Sequence, residues 1–196
     1  MENMLKKFKL SLENLFETNP ELKKVDFTNH QIEVSGHHYL LCKALIPSIP
    51  EILAVESSVY QGQLPWDYEA FSKELSNDIS ALYLIIRDAD QLVAFAGCNF
   101  KYGYHEAHIT NIAVMPTYQD KGLGTVLLQT LFEQAVKKGC QQMSLEVKQS
   151  NQKAQKLYEK LGFNKQEIKF NYYANQENAY FYRRSLNDVK VKREWI

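Results

Sequence analysis

The stretch "PTYQDKGLGTVLLQTLFEQA", residues 116–135, places two of the chain's eight glycines, Gly122 and Gly124, directly ahead of an apolar-striped segment. Glycine admits close backbone approach but weakens a helix interior. Its natural place is therefore a helix start, where unpaired N–H groups and the dipole favour an anion such as phosphate. The amides over Lys121–Thr125 are the candidate donors; a plain strand-to-helix turn would also account for two glycines. No lysine followed by Ser or Thr comes after them, as a P-loop requires, and Leu127 stands where a dinucleotide fingerprint needs its third glycine. Glu146 lies about where a ribose-binding acid could sit, but only one strand–helix–strand crossover surrounds the motif.

The elements that must position this stretch follow from periodicity and turn residues. "QIEV" and "HYLLCKAL" flank Ser35-Gly36 as a hairpin. Two helices are expected next, one from near Pro47 through "EILAVESSVY" and one from near Trp66 through "DYEAFSKELSN". "ALYLIIR" and "QLVAFAGCNF" read as strands around the turn "DADQ", and "AHITNIAVM" as a third. Leu127, Leu128, Leu131, Phe132 and Ala135 make one apolar helix face, leaving the helix start bare. Strand "QMSLEVK", helix "NQKAQKLYEKL" ended by Gly162, and strands "KQEIKFNYY" and "NAYFYRRSL" complete the order. An antiparallel meander followed by a crossover helix indicates a mixed α/β, α+β-like fold.

At 196 residues the chain suits one domain, expected over 37–188. Residues 1–36 form an extension whose Leu5, Phe8, Leu12, Leu15 and Phe16 recur at helical spacing, followed by a polar linker; 189–196 is a basic tail. A formal net charge of zero gives no wholesale basic surface for nucleic acid. Cys42, Cys98 and Cys140 are odd in number and far apart, which suits reduced thiols in a cytoplasmic protein and neither a metal site nor a disulfide framework. No apolar run approaches the ~18 residues of a membrane span.

Gln119-Asp120-Lys121-Gly122-Leu123-Gly124 resembles the Q/R-x-x-G-x-G/A pyrophosphate loop of the GNAT N-acetyltransferases, which bind acetyl-CoA. "NIAVMPTYQDKGLGTVLL", "LEVKQSNQKAQKLYEKLGF" and "NYY" occur in the order and spacing of that family's ribosomal-protein-alanine N-acetyltransferases, and "PWDYEAF" resembles their Pro-Trp helix start. The likeness spans residues 38–186. It implies a central, mostly antiparallel twisted sheet, splayed at the acetyl-CoA site, with helices on both faces. Acetyl-CoA would lie between "TNIAV" and "SLEVK", its pantetheine amides paired with Ile112, Ala113 and Val114 as an edge strand pairs with a new one. The loop Gln119–Thr125, with Lys121, Gly122, Leu123 and Gly124 at its centre, would hold the pyrophosphate, and Asn151 would touch the cofactor.

The resemblance also implies roles for Glu146 and Tyr158. Only a neutral amine attacks a thioester, so a base must take a proton from the acceptor and an acid should protonate the departing thiolate. Glu146 matches the base and Tyr158 the acid. Ser144, Glu146 and Lys148 share one strand face, where desolvation is expected to raise the Glu146 pKa; a solvated or salt-bridged glutamate is the alternative. Asn151 and Tyr158, seven residues apart, share a helix face offset from Leu157–Leu161. Trp66, Tyr172 and Tyr173 would border the acceptor groove, although each could be core. Lys148 stands where the family often has arginine, and "NQENAY" where an acidic pair is common.

The implied function is acetyl transfer from acetyl-CoA to the N-terminal α-amine of a protein, the alanine of a small-subunit ribosomal protein being the nearest family target. A lysine or small-amine acetyltransferase, and an acyl-CoA-binding module without turnover, are the alternatives. No metal, membrane or direct nucleic-acid partner is expected, and the chain is expected to be a monomer or weak dimer.

Overall fold

The computed structural model describes residues 24–60, 62, 64–101 and 105–189. The amphipathic stripe expected within residues 1–36, and all but the first residue of the basic tail, lie outside them. The Ser35-Gly36 turn, both residues at positive φ, joins β1 (His30–Val34) to β2 (His37–Lys43). The expected domain boundary at 36/37 falls inside this hairpin, and Val25 is already in the core, its N–H bonded to Asp78 O at 3.0 Å. A 3-10 turn over Ile46–Ser48 precedes α1 (Ile49–Val59). Helix α2 (Tyr68–Leu75) starts two residues beyond Trp66 because Asp67 caps it, accepting from Ala70 N at 2.8 Å.

The remaining elements are β3 (Ala81–Asp88), β4 (Gln91–Lys101), β5 (Glu106–Val114), α3 (Leu123–Lys137), β6 (Gln142–Lys148), α4 (Gln152–Lys160), β7 (Asn164–Lys169) and β8 (Ala179–Ser185). Among the described residues the strands form one sheet in the order β1-β2-β3-β4-β5-β6-β8-β7. Every neighbouring pair is antiparallel except β5 and β6.

The middle of the sheet is buried on both faces, as the near-continuous apolar run of β3 requires, while the outer strands β1 and β7 are largely exposed. Leu82, Leu84 and Ile86 join Leu127, Leu128, Leu131 and Phe132 of α3 in one core. Ala81, Tyr83 and Ile85 join Ile49, Ile52, Val55 and Phe71 of α1 and α2 in the other. That strict alternation is the two-residue period of a strand, and it puts helices on both faces.

Two irregularities shape the centre. Opposite Gly97 the register slips, so that Gly97 faces Asn111 while Cys98 faces Ile109, leaving Thr110 as the extra residue. Gly97 is required there: a Cβ would stand 2.2 Å from the ring of Tyr83. The ring crosses at that point to set its hydroxyl 2.8 Å from Thr110 Oγ1 and 2.9 Å from Asn111 Oδ1.

The second irregularity is the β5–β6 ladder. It contains three pairs, Glu106 with Gln142, Ala107 with Met143 and His108 with Ser144, and then ends. β5 goes on pairing with β4 to Val114, and β6 with β8 to Lys148. The two strands therefore part while both stay extended.

The expected strand "KQEIKFNYY" stops at Lys169. Asn171 adopts a φ of +50°, and the bonds Tyr173 N to Glu177 O and Gln176 N to Tyr173 O close a turn, so Tyr172 and Tyr173 sit on a loop. The three cysteines are buried. No helix among the described residues is long and apolar enough to cross a membrane.

Candidate active site at the parting of two strands

β5 leads from the parting straight into the glycine loop. Asp120 and Gly122 take φ values of +63° and +96°, and Gly122 caps α3 without any side-chain hydrogen bond. The first helical bond there is Val126 N to Gly122 O, so the amides of Leu123, Gly124 and Thr125 precede the ladder. No acidic residue occupies the first turn. The arrangement fits an anion such as a pyrophosphate.

Gly122 has a packing reason as well. A Cβ there would lie 3.2 Å from Val34 Cγ1, tighter than ordinary contact, whereas one on Gly124 would lie 3.4 Å from Leu157 Cδ2, so packing alone does not demand the second glycine.

Side chains around the loop hold it in place. Gln119 Nε2 donates to Val114 O at 3.0 Å, while its Oε1 accepts from Lys153 Nζ at 2.9 Å. The same ammonium reaches Asp120 Oδ2 at 2.8 Å. Lys121 Nζ lies 4.6 Å from the Tyr118 ring centroid, and Tyr118 donates to Asp88 Oδ2. Ser35 donates to the Lys121 carbonyl. The side chains of Gln119 and Asp120 therefore join β5, the loop and α4. Ile112, Ala113 and Val114 lie on the diverging part of β5. Asn151 accepts from Ala154 N at 3.1 Å, so its side-chain oxygen caps α4.

Glu146 stands on β6 beyond the last rung, with its carboxyl group held on both oxygens. His108 Nε2 lies 3.0 Å from Oε2 and Lys169 Nζ lies 2.5 Å from Oε1. Burial alone would raise its pKa, as the sequence led us to expect. Hydrogen bonds from His108 and Lys169, and the charges behind them, outweigh burial and hold the carboxyl at about 2. The expected upward shift is thus corrected: the buried strand face supplies partners as well as desolvation.

Tyr158 is 5% exposed, its ring centroid 5.9 Å from that of Phe163 and 6.4 Å from that of Tyr182. Burial first, then the phenols of Tyr60 and Tyr173, drive its pKa well above the ordinary phenol value. It keeps its proton at neutral pH, as an acid must, but is a weaker acid than a free phenol. No hydrogen bond joins it to Glu146. Tyr173 lies within the field of Glu146 and in turn acts on Tyr158.

The three expected groove aromatics divide. Trp66 packs its ring on Phe71, with centroids 5.3 Å apart. Tyr172 is 48% exposed, stacks edge-on against Tyr173 and lies within the field of Glu146, which with burial raises its pKa. Tyr173 is half-buried, with Lys148 Nζ 5.2 Å from its ring centroid.

Sequence reasoning missed three groups. His108 and Lys169 meet Glu146 across 38 and 23 residues of chain, which no local spacing reveals. Glu56 is 2% exposed on α1, with Oε2 unpartnered. Burial pushes its carboxyl up to about 7 against hydrogen bonds from the Trp66 backbone and Asn111. A signal for Glu56 existed: it continues the buried stripe Ile49, Ile52, Val55, where a solvated glutamate does not belong.

Residues 47–163 match the model of the acetyltransferase (GNAT) family. The chain is 33% identical over 144 residues to a putative ribosomal protein bS18-alanine N-acetyltransferase of Bacillus subtilis, covering 73% of this chain and 93% of that one. It is 39% identical over 122 residues to the ribosomal protein bS18-alanine N-acetyltransferase of Haemophilus influenzae, covering 59% and 79%. The crystal structure of the ribosomal-protein-S18-alanine N-acetyltransferase from Escherichia coli superposes with a TM-score of 0.68 at 28% identity, covering 80% of this chain and 99% of that one.

Proposed function

The chain belongs to the GNAT acetyltransferase family, and from that premise we propose that it transfers acetyl from acetyl-CoA to the N-terminal α-amine of a protein. The acceptor in this reading is the N-terminal alanine of a small-subunit ribosomal protein, the substrate carried in the names of the similar bacterial enzymes. The observation that carries it is the parting of β5 and β6 immediately ahead of the uncapped start of α3, with Glu146 beyond the last rung.

Bound acetyl-CoA supplies an acyl group activated as a thioester. The amides of Lys121–Thr125 hold its pyrophosphate, the main chain of Ile112, Ala113 and Val114 pairs with its pantetheine, and Asn151 stands at its flank. Glu146 receives a proton from the acceptor ammonium, directly or through water. The Tyr158 hydroxyl holds a proton for the departing sulfur. Tyr172 and Tyr173, on their loop beside Glu146, form one wall of the acceptor slot.

The test is acetylation by the purified chain of a ribosomal peptide beginning with alanine, followed by mass spectrometry, with lysine peptides and polyamines in parallel. An acetyl group on the peptide's α-nitrogen supports the reading. Transfer confined to lysine or polyamine redirects it within the family, and cofactor binding with no transfer to any amine overturns it.

A further inference from the structure

The glycine loop is braced by a hairpin that precedes the family match, which begins at residue 47. Two contacts join the turn between β1 and β2 to the loop. Ser35 Oγ donates to the Lys121 carbonyl at 3.1 Å, across 86 residues of chain. Val34, the buried last residue of β1, packs so near Gly122 that a Cβ there would stand 3.2 Å from its Cγ1. A third link runs through Asp88 at the end of β3. One of its carboxylate oxygens lies 2.9 Å from His37 Nε2 of β2, and the other accepts from the Tyr118 hydroxyl at 3.0 Å. The Tyr118 ring in turn carries Lys121 Nζ.

The Ser35 bond falls on a single peptide plane, the one between Lys121 and Gly122. A trans peptide is flat, and its carbonyl and N–H point opposite ways. Fixing the Lys121 carbonyl on the hairpin therefore aims the Gly122 N–H away from the hairpin. Among the described residues nothing accepts from that N–H.

The held plane goes with the Gly122 φ of +96°. Turning the plane over would bring that φ to roughly −85°, an ordinary value for any residue. Glycine thus permits the observed orientation, and the hairpin selects it. Ser35 is exposed and itself takes a φ of +53°, a turn conformation that glycine would adopt with less strain. Its hydroxyl is what a serine adds there.

We infer that Ser35 is a positioning residue for the coenzyme: by holding the Lys121 carbonyl it presents the Gly122 N–H to the pyrophosphate, beside the amides of Leu123, Gly124 and Thr125. This rests on the acetyl-CoA reading above. Ser35 touches no coenzyme atom and acts through Gly122. A donor set in place beforehand loses no orientational freedom when the ligand arrives, so the brace appears as affinity.

Two variants remove the hydroxyl, Ser35→Gly and Ser35→Ala, and only the first eases the positive φ. Calorimetry with coenzyme A should show affinity about fivefold weaker in each, the effect of one ordinary hydrogen bond. The thermal midpoint of Ser35→Gly should stay within about 3 °C of the wild type. With S-acetylpantetheine as donor, which has no phosphate, kcat/KM should match the wild type. A loss of affinity in only one variant follows the backbone and overturns the assignment. An equal loss with both thioesters overturns it too, because the hairpin then supports the site as a whole. In a crystal of the wild type with coenzyme A, the Gly122 nitrogen should lie about 2.9 Å from a phosphate oxygen; a Gly122 N–H turned from the phosphates overturns the assignment. A wild type that binds no coenzyme A sinks the proposed function and this assignment together. One that binds it, with variants that bind it equally well, sinks the Ser35 assignment alone.

Discussion

Lys169 Nζ lies 2.5 Å from Glu146 Oε1, so the carboxylate proposed as the base holds one oxygen against a neighbouring cation. The pair joins the end of β7 to the middle of β6 across β8. It keeps Glu146 ionised where burial would otherwise favour the neutral acid.

Replacing Lys169 with Met should raise the Glu146 pKa and lower stability in a pH-dependent way. The folded value, about 2, lies below the ordinary 4.5, so the stabilisation is complete above 4.5 and lost as pH falls towards 2. The wild-type advantage in urea midpoint should hold through neutral pH and close across that acid window. A gap that persists at the acid end would mean that packing, not charge, is lost.

Tyr158→Phe should reduce kcat by roughly 100-fold while leaving the KM for acetyl-CoA near the wild-type value. The ring contacts with Phe163 and Tyr182 survive the change, so the thermal midpoint should move little. Steady-state kinetics and calorimetry on the same preparation check both halves.

Glu56→Gln should stabilise the protein at alkaline pH. The folded carboxyl is raised to about 7 from 4.5, so the native state binds the extra proton and stability falls as pH rises between those values. The variant carries no such loss. Its thermal midpoint should exceed that of the wild type by a few degrees above neutrality, the difference vanishing near pH 4.5.

Gly97→Ala should cost about 3 kcal/mol in urea unfolding, because the new methyl falls 2.2 Å from a ring that cannot retreat without breaking its bonds to Thr110 and Asn111. The double variant with Tyr83→Ala should lose less than the sum of the two single losses, because the clash is gone.

Much of the frame was legible in the chain. The strand at "ALYLIIR", the apolar stripe from Leu127 to Ala135 and the turn at Ser35-Gly36 each correspond to an observed element. These signals are local, carried by short apolar runs, the 3.6-residue helical period and turn residues. What escaped depends on contacts between distant strands. Nothing in "KQEIK" announces that Lys169 will reach back to Glu146, and desolvation was visible where its compensating partners were not. The strand forecast through Tyr173 failed for a related reason: aromatic composition favours extension, but the turn closed by Glu177 and Gln176 overrides it.

The two halves of the sheet, β1 to β5 and β6 to β8, are stitched together by a parallel ladder of three rungs, the last being His108 and Ser144. That rung is therefore a fastener set right beside the buried carboxylate. An acceptor that wedges the halves farther apart strains the very link that holds His108 against Glu146, so mechanical fit and the surroundings of that carboxylate cannot vary independently here.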